Sequence, residues 1–276
     1  MASRTVHGVE IAYFQTGAAG DPVVLIHGSL ADHRSWDRVV PTLAETMEVV
    51  TYDRRGYGGS ARVPSAHRVA DDAADLAALL ESINVYPVHV VAHSYAGAVA
   101  LRLAISHPEM VRSLAIHEAP LLGLLADDPA TASEGEALLS GAQELQRLIR
   151  AGETERATAE LVSVFSTEPD AWGHLAAPVR AELERNLPPW AEEYSDPEAL
   201  RPDRAACREL DVPVLLTVGS QSPRFLHRIA RDLEGLLRNS RLLEIPDAGH
   251  SPHVARPHQY AGLLMTFLLE RNVPVS

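Results

Sequence analysis

The chain has 276 residues, 46% of them hydrophobic and 22% charged, which is the profile of an ordinary folded protein able to bury a full core. Its formal net charge of −13 argues against nucleic acid or an anionic membrane as a partner, since both require basic patches. The single cysteine, Cys207, excludes an intramolecular disulfide and a cysteine-rich metal site, and fits a reducing compartment.

The first stretch, MASRTVHGVEIAYFQTG, lacks the continuous apolar run of a secretory signal. No stretch of about 18 apolar residues follows, so a cytoplasmic protein without a membrane span is expected. VEIAYFQTG (9–17) alternates as a strand and ends on glycine, and PVVLIHG (22–28) has the short apolar run of a strand buried on both faces. RSWDRVVPTLAE (34–45) reads as helical, with Pro41 kinking it or splitting it into shorter turns. MEVVTYD (47–53) is a strand. VADDAADLAALLESIN (69–84) is an amphipathic helix with acids in its first turn, where they suit the helix dipole. Next come a strand VHVVAH (88–93), a helix AGAVALRLAISH (96–107) and a strand VRSLAIHE (111–118).

This rhythm predicts an α/β fold with a mostly parallel central sheet and helices on both faces. It stops at residues 120–205, which are rich in Ala, Glu, Leu and Pro and carry helical stretches only. The strand pattern resumes at VPVLLTVG (212–219), then a helix (224–237), a strand RLLEIPD (241–247) and a final helix (258–271). Residues 1–119 and 206–276 therefore read as one core domain, and 120–205 as a helical cap inserted over it.

The chemistry starts at VVAHSYAGAVA (90–100). Ser94 stands between a buried strand and a helix, where open α/β sheets place their ligands. The spacing nearly matches the G-x-S-x-G nucleophile elbow, with Ala92 and Ala96 in place of the glycines. Alanine adds one methyl and is still small enough for the sharp turn. A serine here can also serve only as a helix cap. HGSL (27–30) follows the strand PVVLI. In the elbow arrangement this loop and the residue after the nucleophile supply two backbone N–H groups to an oxyanion, here Ser29 and Tyr95. His250, in PDAGHSPHVARP past the last predicted strand, can reach the serine as a base. His93 reads as packing beneath the elbow, and His253 and His258 as structural or exposed. No histidine pair has the H-E-x-x-H spacing, so no metal site is expected.

Taken together, PVVLIHGSLADHRSWDRVVPTL, VVTYDRRGYGGSARV, VVAHSYAGAVALRLAISHPEMVRSLAI and PDAGHSPHVARP resemble the α/β-hydrolase superfamily in order and spacing over nearly the whole chain. The resemblance implies that fold, a serine nucleophile and no cofactor, with Asp53 in a structural role within DRRGYGGS. Its triad order is Ser, then Asp or Glu, then His. The acid usually follows the strand before the last one. There this chain reads TVGSQSP, with Ser222 in the expected place, and a hydroxyl cannot stabilise an imidazolium as a carboxylate does. Glu118, in LAIHEAP, ends the strand next to the serine strand and is the first candidate for the missing acid. A site without a functional acid, and Asp247, close to His250 in sequence, are the alternatives.

HEAP, NLPPWAEEY (186–194) and GSQSP are also similar to the branch containing fungal zearalenone lactonases. That likeness implies a glutamate acid at Glu118 and a cap tryptophan, Trp190, facing ligand, with Trp172 as a second wall residue. The resulting expectation is a serine hydrolase that cleaves an ester or lactone of a moderately apolar small molecule through an acyl-enzyme on Ser94. Two alternatives stay open. One is non-hydrolytic, cofactor-free chemistry on the same scaffold, such as a lyase, oxygenase or perhydrolase. The other is a ligand-binding protein without turnover. Oligomeric state, a homo-oligomer included, is not legible.

Overall fold

The structure, a computed structural model, describes residues 1–62, 68–196 and 198–270. Eight strands form one sheet: β1 (Ala2–Val6), β2 (Val9–Gly17), β3 (Pro22–Ile26), β4 (Glu48–Tyr52), β5 (Val88–His93), β6 (Val111–His117), β7 (Val214–Gly219) and β8 (Ser240–Ile245). Their order across the sheet is β1-β2-β4-β3-β5-β6-β7-β8. β2 runs antiparallel to β1 and β4, and every pairing from β4 to β8 is parallel. The predicted α/β-hydrolase architecture is thus present, with one strand more than the sequence indicated. β1 escapes a pattern reading because four of its five residues are exposed and only Val6 is buried.

Alternate residues of the central strands build two cores. Val24, Ile26, Val50, Val90 and Leu216 face the helices Val69–Ser82, Ala96–Ser106 and Arg224–Leu236. Val23, Leu25, Val49, Val91 and Leu215 face Trp36, Leu43 and the C-terminal helix Pro257–Glu270. Strands buried on both faces account for the unbroken apolar runs in the sequence. Each such Val, Leu or Ile contributes about 1.5–3 kcal/mol when fully buried.

The predicted helix over 34–45 is split. A single 3-10 turn covers His33–Trp36 and one α-turn covers Val40–Leu43, with Pro41 in the first turn of the latter. Proline lacks the N–H needed inside a helix, so it starts the second piece instead of continuing the first.

Between β6 and β7 the described residues form helices and turns only. The helices Ala132–Arg150, Thr154–Val164 and Leu187–Glu193 share a small apolar cluster of Leu145, Leu148, Ala157, Leu161, Leu187 and Trp190. Leu30, from the loop after β3, belongs to the same cluster. The cap is thereby seated on the loop that borders Ser94. No described helix is long and apolar enough to cross a membrane.

Candidate active site

Ser94 follows the last residue of β5 with φ at +55°, in the left-handed region that non-glycine residues rarely adopt. The turn is held by its own N–H, which donates to the His117 carbonyl at 2.8 Å, and by Gly97 N–H donating to the Ser94 carbonyl at 2.8 Å. Small neighbours are essential to this turn. Ala92 and Ala96 are fully buried, and a Cβ on Gly97 would come within 2.5 Å of the Ala119 methyl. Gly28 is equally constrained, since a Cβ there would lie 2.6 Å from His93 Nδ1 and 3.1 Å from Ser94 Cβ.

The side chains of Ser94, His250 and Glu118 meet at the C-terminal edge of the sheet. His250 Nε2 lies 3.0 Å from Ser94 Oγ, and His250 Nδ1 lies 2.7 Å from Glu118 Oε2. The other carboxylate oxygen, Oε1, accepts the Gly219 N–H at 2.7 Å. Glu118 itself has φ at +49°, which turns its side chain across the end of β7. Burial alone would push its pKa up. The neighbouring His117, the bond from His250 and the adjacent Ser222 hydroxyl more than offset this and hold it at about 2. An ionised carboxylate can only accept hydrogen bonds. His250 therefore carries its proton on Nδ1, and Nε2 is left to accept from the serine.

Tyr95 follows Ser94 and Ser29 follows Gly28, which packs on Ser94, and neither Ser29 nor Tyr95 N–H has a backbone acceptor among the described residues. The Ser29 hydroxyl instead donates to Glu193 Oε2 of the cap at 2.6 Å. Phe165, at the end of the cap helix Thr154–Val164, stacks on the His250 ring at 4.6 Å. Trp190 is 2% exposed and stacks on Tyr194 at 4.5 Å, and Tyr194 in turn packs on Tyr95. Trp172 is half-buried beneath Arg180, and among the described residues it makes no ring contact with the triad. Asp247 is exposed and offers its carbonyl to Arg256, away from His250 Nδ1.

Asp53 accepts from the His33 backbone at 2.8 Å, the His33 ring at 2.7 Å and the Gly59 N–H at 2.7 Å, so it organises the loop after β4. Asp32, His33 and Asp53 do bring ligand-type atoms within 4.8 Å of one another. Asp32 is clamped by Arg34 and both Asp53 oxygens are occupied, so no open set of metal donors is presented there.

A histidine cluster underlies the site. His93 Nε2 donates to the His250 carbonyl at 2.7 Å and its ring contacts those of His253 and His117. Burial holds His117 down at about 4 and His253 at about 3, and it holds His93 well below its usual value. His27, buried beside Arg54, is held at about 4. His27, His117 and His253 are neutral in the folded protein at pH 5, and burial biases His93 the same way, whereas an unfolded chain protonates them below about 6.5. The unfolded state therefore binds more protons, and stability is lost as pH falls from about 6.5 towards 4. The slope is about 1.4 kcal/mol per pH unit for each fully responding histidine. Thermal unfolding at pH 7, 6 and 5 is expected to show a steep fall in Tm, shallower in His253→Phe. A flat profile over that range would refute the assignment of these rings as neutral.

The chain matches the alpha/beta hydrolase fold family over residues 21–257. A pimeloyl-[acyl-carrier protein] methyl ester esterase of Neisseria meningitidis is 31% identical over 89% of this chain and 92% of its own. A haloalkane dehalogenase of Bradyrhizobium diazoefficiens is 28% identical over 83% of this chain and 82% of its own. A Yersinia enterocolitica relative named for carbamate hydrolysis is 40% identical, but the match spans only 39% of this chain and 40% of that one. Among solved structures, the N-acyl homoserine lactone degrading enzyme Est816 superposes with a TM-score of 0.77 at 20% identity. That superposition covers 96% of this chain and all of that one, and at such identity it speaks for the fold.

Proposed function

The chain belongs to the alpha/beta hydrolase fold family, and from that premise we propose that it is a serine hydrolase cleaving a carboxylic ester or lactone of a moderately apolar small molecule. The observation that carries this reading is the relay from Ser94 Oγ through His250 to a buried, ionised Glu118.

In the proposed reaction His250 Nε2 takes the Ser94 proton as the serine oxygen bonds to the substrate carbonyl carbon. The carbonyl π electrons move to oxygen, where the Ser29 and Tyr95 N–H groups receive the charge. Collapse breaks the bond to the leaving alkoxide, which takes the proton back from His250. In a lactone that alkoxide stays tethered to the acyl group. Water, deprotonated by His250 Nε2, then attacks the acyl carbon; collapse breaks the bond to Ser94 Oγ, which takes the proton back from His250, and the acid leaves. Glu118 orients the ring and stabilises its charged form throughout. No step requires a cofactor. Phe165 on the His250 ring, and Tyr194 with Trp190 behind it, offer aromatic surface suited to an apolar substrate.

A fluorophosphonate probe is expected to label Ser94, seen as a mass increase on its peptide, and p-nitrophenyl esters or simple lactones should be turned over. Labelling without turnover of any ester or lactone would favour the non-hydrolytic and binding-only alternatives. Absence of both would refute the serine nucleophile.

A further inference from the structure

We propose that Glu193 of the cap is a positioning residue for the oxyanion hole, acting on both of its donors at once, an inference that rests on the serine-hydrolase reading above. Glu193 closes the cap helix Leu187–Glu193 and its side chain is completely buried. One oxygen accepts the Ser29 hydroxyl at 2.6 Å, and the other pairs with Nη1 of Arg54. Arg54 is also completely buried. It donates to the His27 carbonyl through Nε at 3.1 Å, and Asp72 is its second acidic partner at 3.3 Å. Its guanidinium lies 4.8 Å from the Tyr57 ring centroid and 4.9 Å from that of Tyr95. Ser29 and Tyr95 are the two residues whose N–H groups are assigned to the oxyanion. A single cap carboxylate therefore grips one of them directly and the other through the stacked arginine.

The loop needs such a grip. Leu30, next to Ser29, has φ at +61°, a conformation that costs of order 1 kcal/mol or more for a residue with a side chain. Its carbonyl accepts from Asn186 Nδ2 at 3.1 Å, and Asn186 directly precedes the helix Leu187–Glu193 that Glu193 closes. From the core side, the Arg54 N–H donates to His27 Nε2 at 3.0 Å, which leaves the His27 Nδ1 proton to bond the Gly28 carbonyl at 2.7 Å. The loop carrying the first oxyanion donor is thus fixed from below by His27 and Arg54, and from above by Asn186 and Glu193. Because the upper hold belongs to the cap, the hole is complete only while the cap is seated. A rigid hole matters because its donors must already point at the charge when it forms.

The test compares wild type, Ser29→Ala, Glu193→Gln and the double variant, with Arg62→Ala as control. Arg62 makes an exposed ion pair with cap Glu192, and among the described residues it has no hydrogen bond or ion pair to either donor loop. Ser29→Ala keeps the backbone N–H and the Arg54–Glu193 pair, and removes only the hydroxyl contact. It is expected to lower kcat by about tenfold or more with KM changed less than about twofold, and to slow fluorophosphonate labelling of Ser94 in proportion. The phosphonyl oxygen occupies the same hole, which is why labelling responds. Glu193→Gln should lower both rates as well. The double variant should lose little beyond the worse single variant, as two groups acting through one contact do. Arg62→Ala should match wild type.

Wild-type kcat in Ser29→Ala, losses that multiply in the double variant, or an equal loss in Arg62→Ala would each overturn the proposal. Should Glu193→Gln fail to fold, Ser29→Ala decides alone. A wild type that labels but turns over no ester sinks the hydrolase reading only, since labelling rates still report on the hole. A wild type that does neither overturns both.

Discussion

Ser94→Ala is expected to lower kcat/KM for a p-nitrophenyl ester by about a thousandfold or more while leaving the fold in place. The loss follows from removing the only side chain in the proposed mechanism that bonds to the acyl carbon. The fold should survive because Ser94 holds its turn through the backbone: its N–H bonds the His117 carbonyl and its own carbonyl takes the Gly97 N–H. The hydroxyl contributes one bond, to His250. Alanine meets the same left-handed strain at φ +55° that serine already bears. Steady-state kinetics beside circular dichroism separate the two contributions. Near-parental activity with an unchanged spectrum would remove Ser94 from the mechanism.

Glu118→Gln is expected to cost about a thousandfold in kcat, by an argument of hydrogen-bond sign rather than size. An amide has one accepting oxygen and one donating nitrogen. Glu118 accepts twice, from Gly219 N–H and from His250 Nδ1–H. Glutamine satisfies only one of them. If its oxygen stays on Gly219, its NH2 faces His250 Nδ1 and favours the tautomer with the proton on Nε2. That ring donates to Ser94 and cannot act as its base. If the amide flips, NH2 confronts the Gly219 N–H and a buried donor is left unpaired. Ser222→Ala, by contrast, should leave kcat within a few-fold of wild type. A large loss in Ser222→Ala with a small one in Glu118→Gln would move the acid's role elsewhere.

Much of this site was legible because its parts follow strands. β5 and β6 are apolar runs that end abruptly at polar residues, so Ser94 and Glu118 mark strand ends in the sequence itself. His250 stands out through PDAGHSP, just past β8. The absence of an acid before Pro223 was as informative as a motif. The Arg54–Glu193 link was not legible, because 139 residues separate its partners and each alone looks like a solvated surface charge. The one available signal was that Arg54 stands two residues past the end of a strand with an apolar start, in VVTYDR, where the sheet's C-terminal edge is close by. Burial of the cap tryptophan was equally hidden. Trp190 packs among leucines from two other cap helices and from the loop after β3, contacts that no local pattern encodes.

Glu118 springs from the end of β6, yet its carboxylate takes the N–H of Gly219, the last residue of β7. The acid thus occupies a place that two neighbouring strands can furnish, and the sheet edge, not the donor strand, defines it. This gives the fold a mutational route between two arrangements. In S222D both strands would offer a carboxylate to one location, and their mutual repulsion would raise one pKa until that acid held a proton. One charge would remain for His250, and either acid could then be lost without an intermediate lacking a partner for the imidazole. On the proposed reading, the acid in this chain could move by a single strand spacing along the sheet while Ser94 and His250 stay where they are.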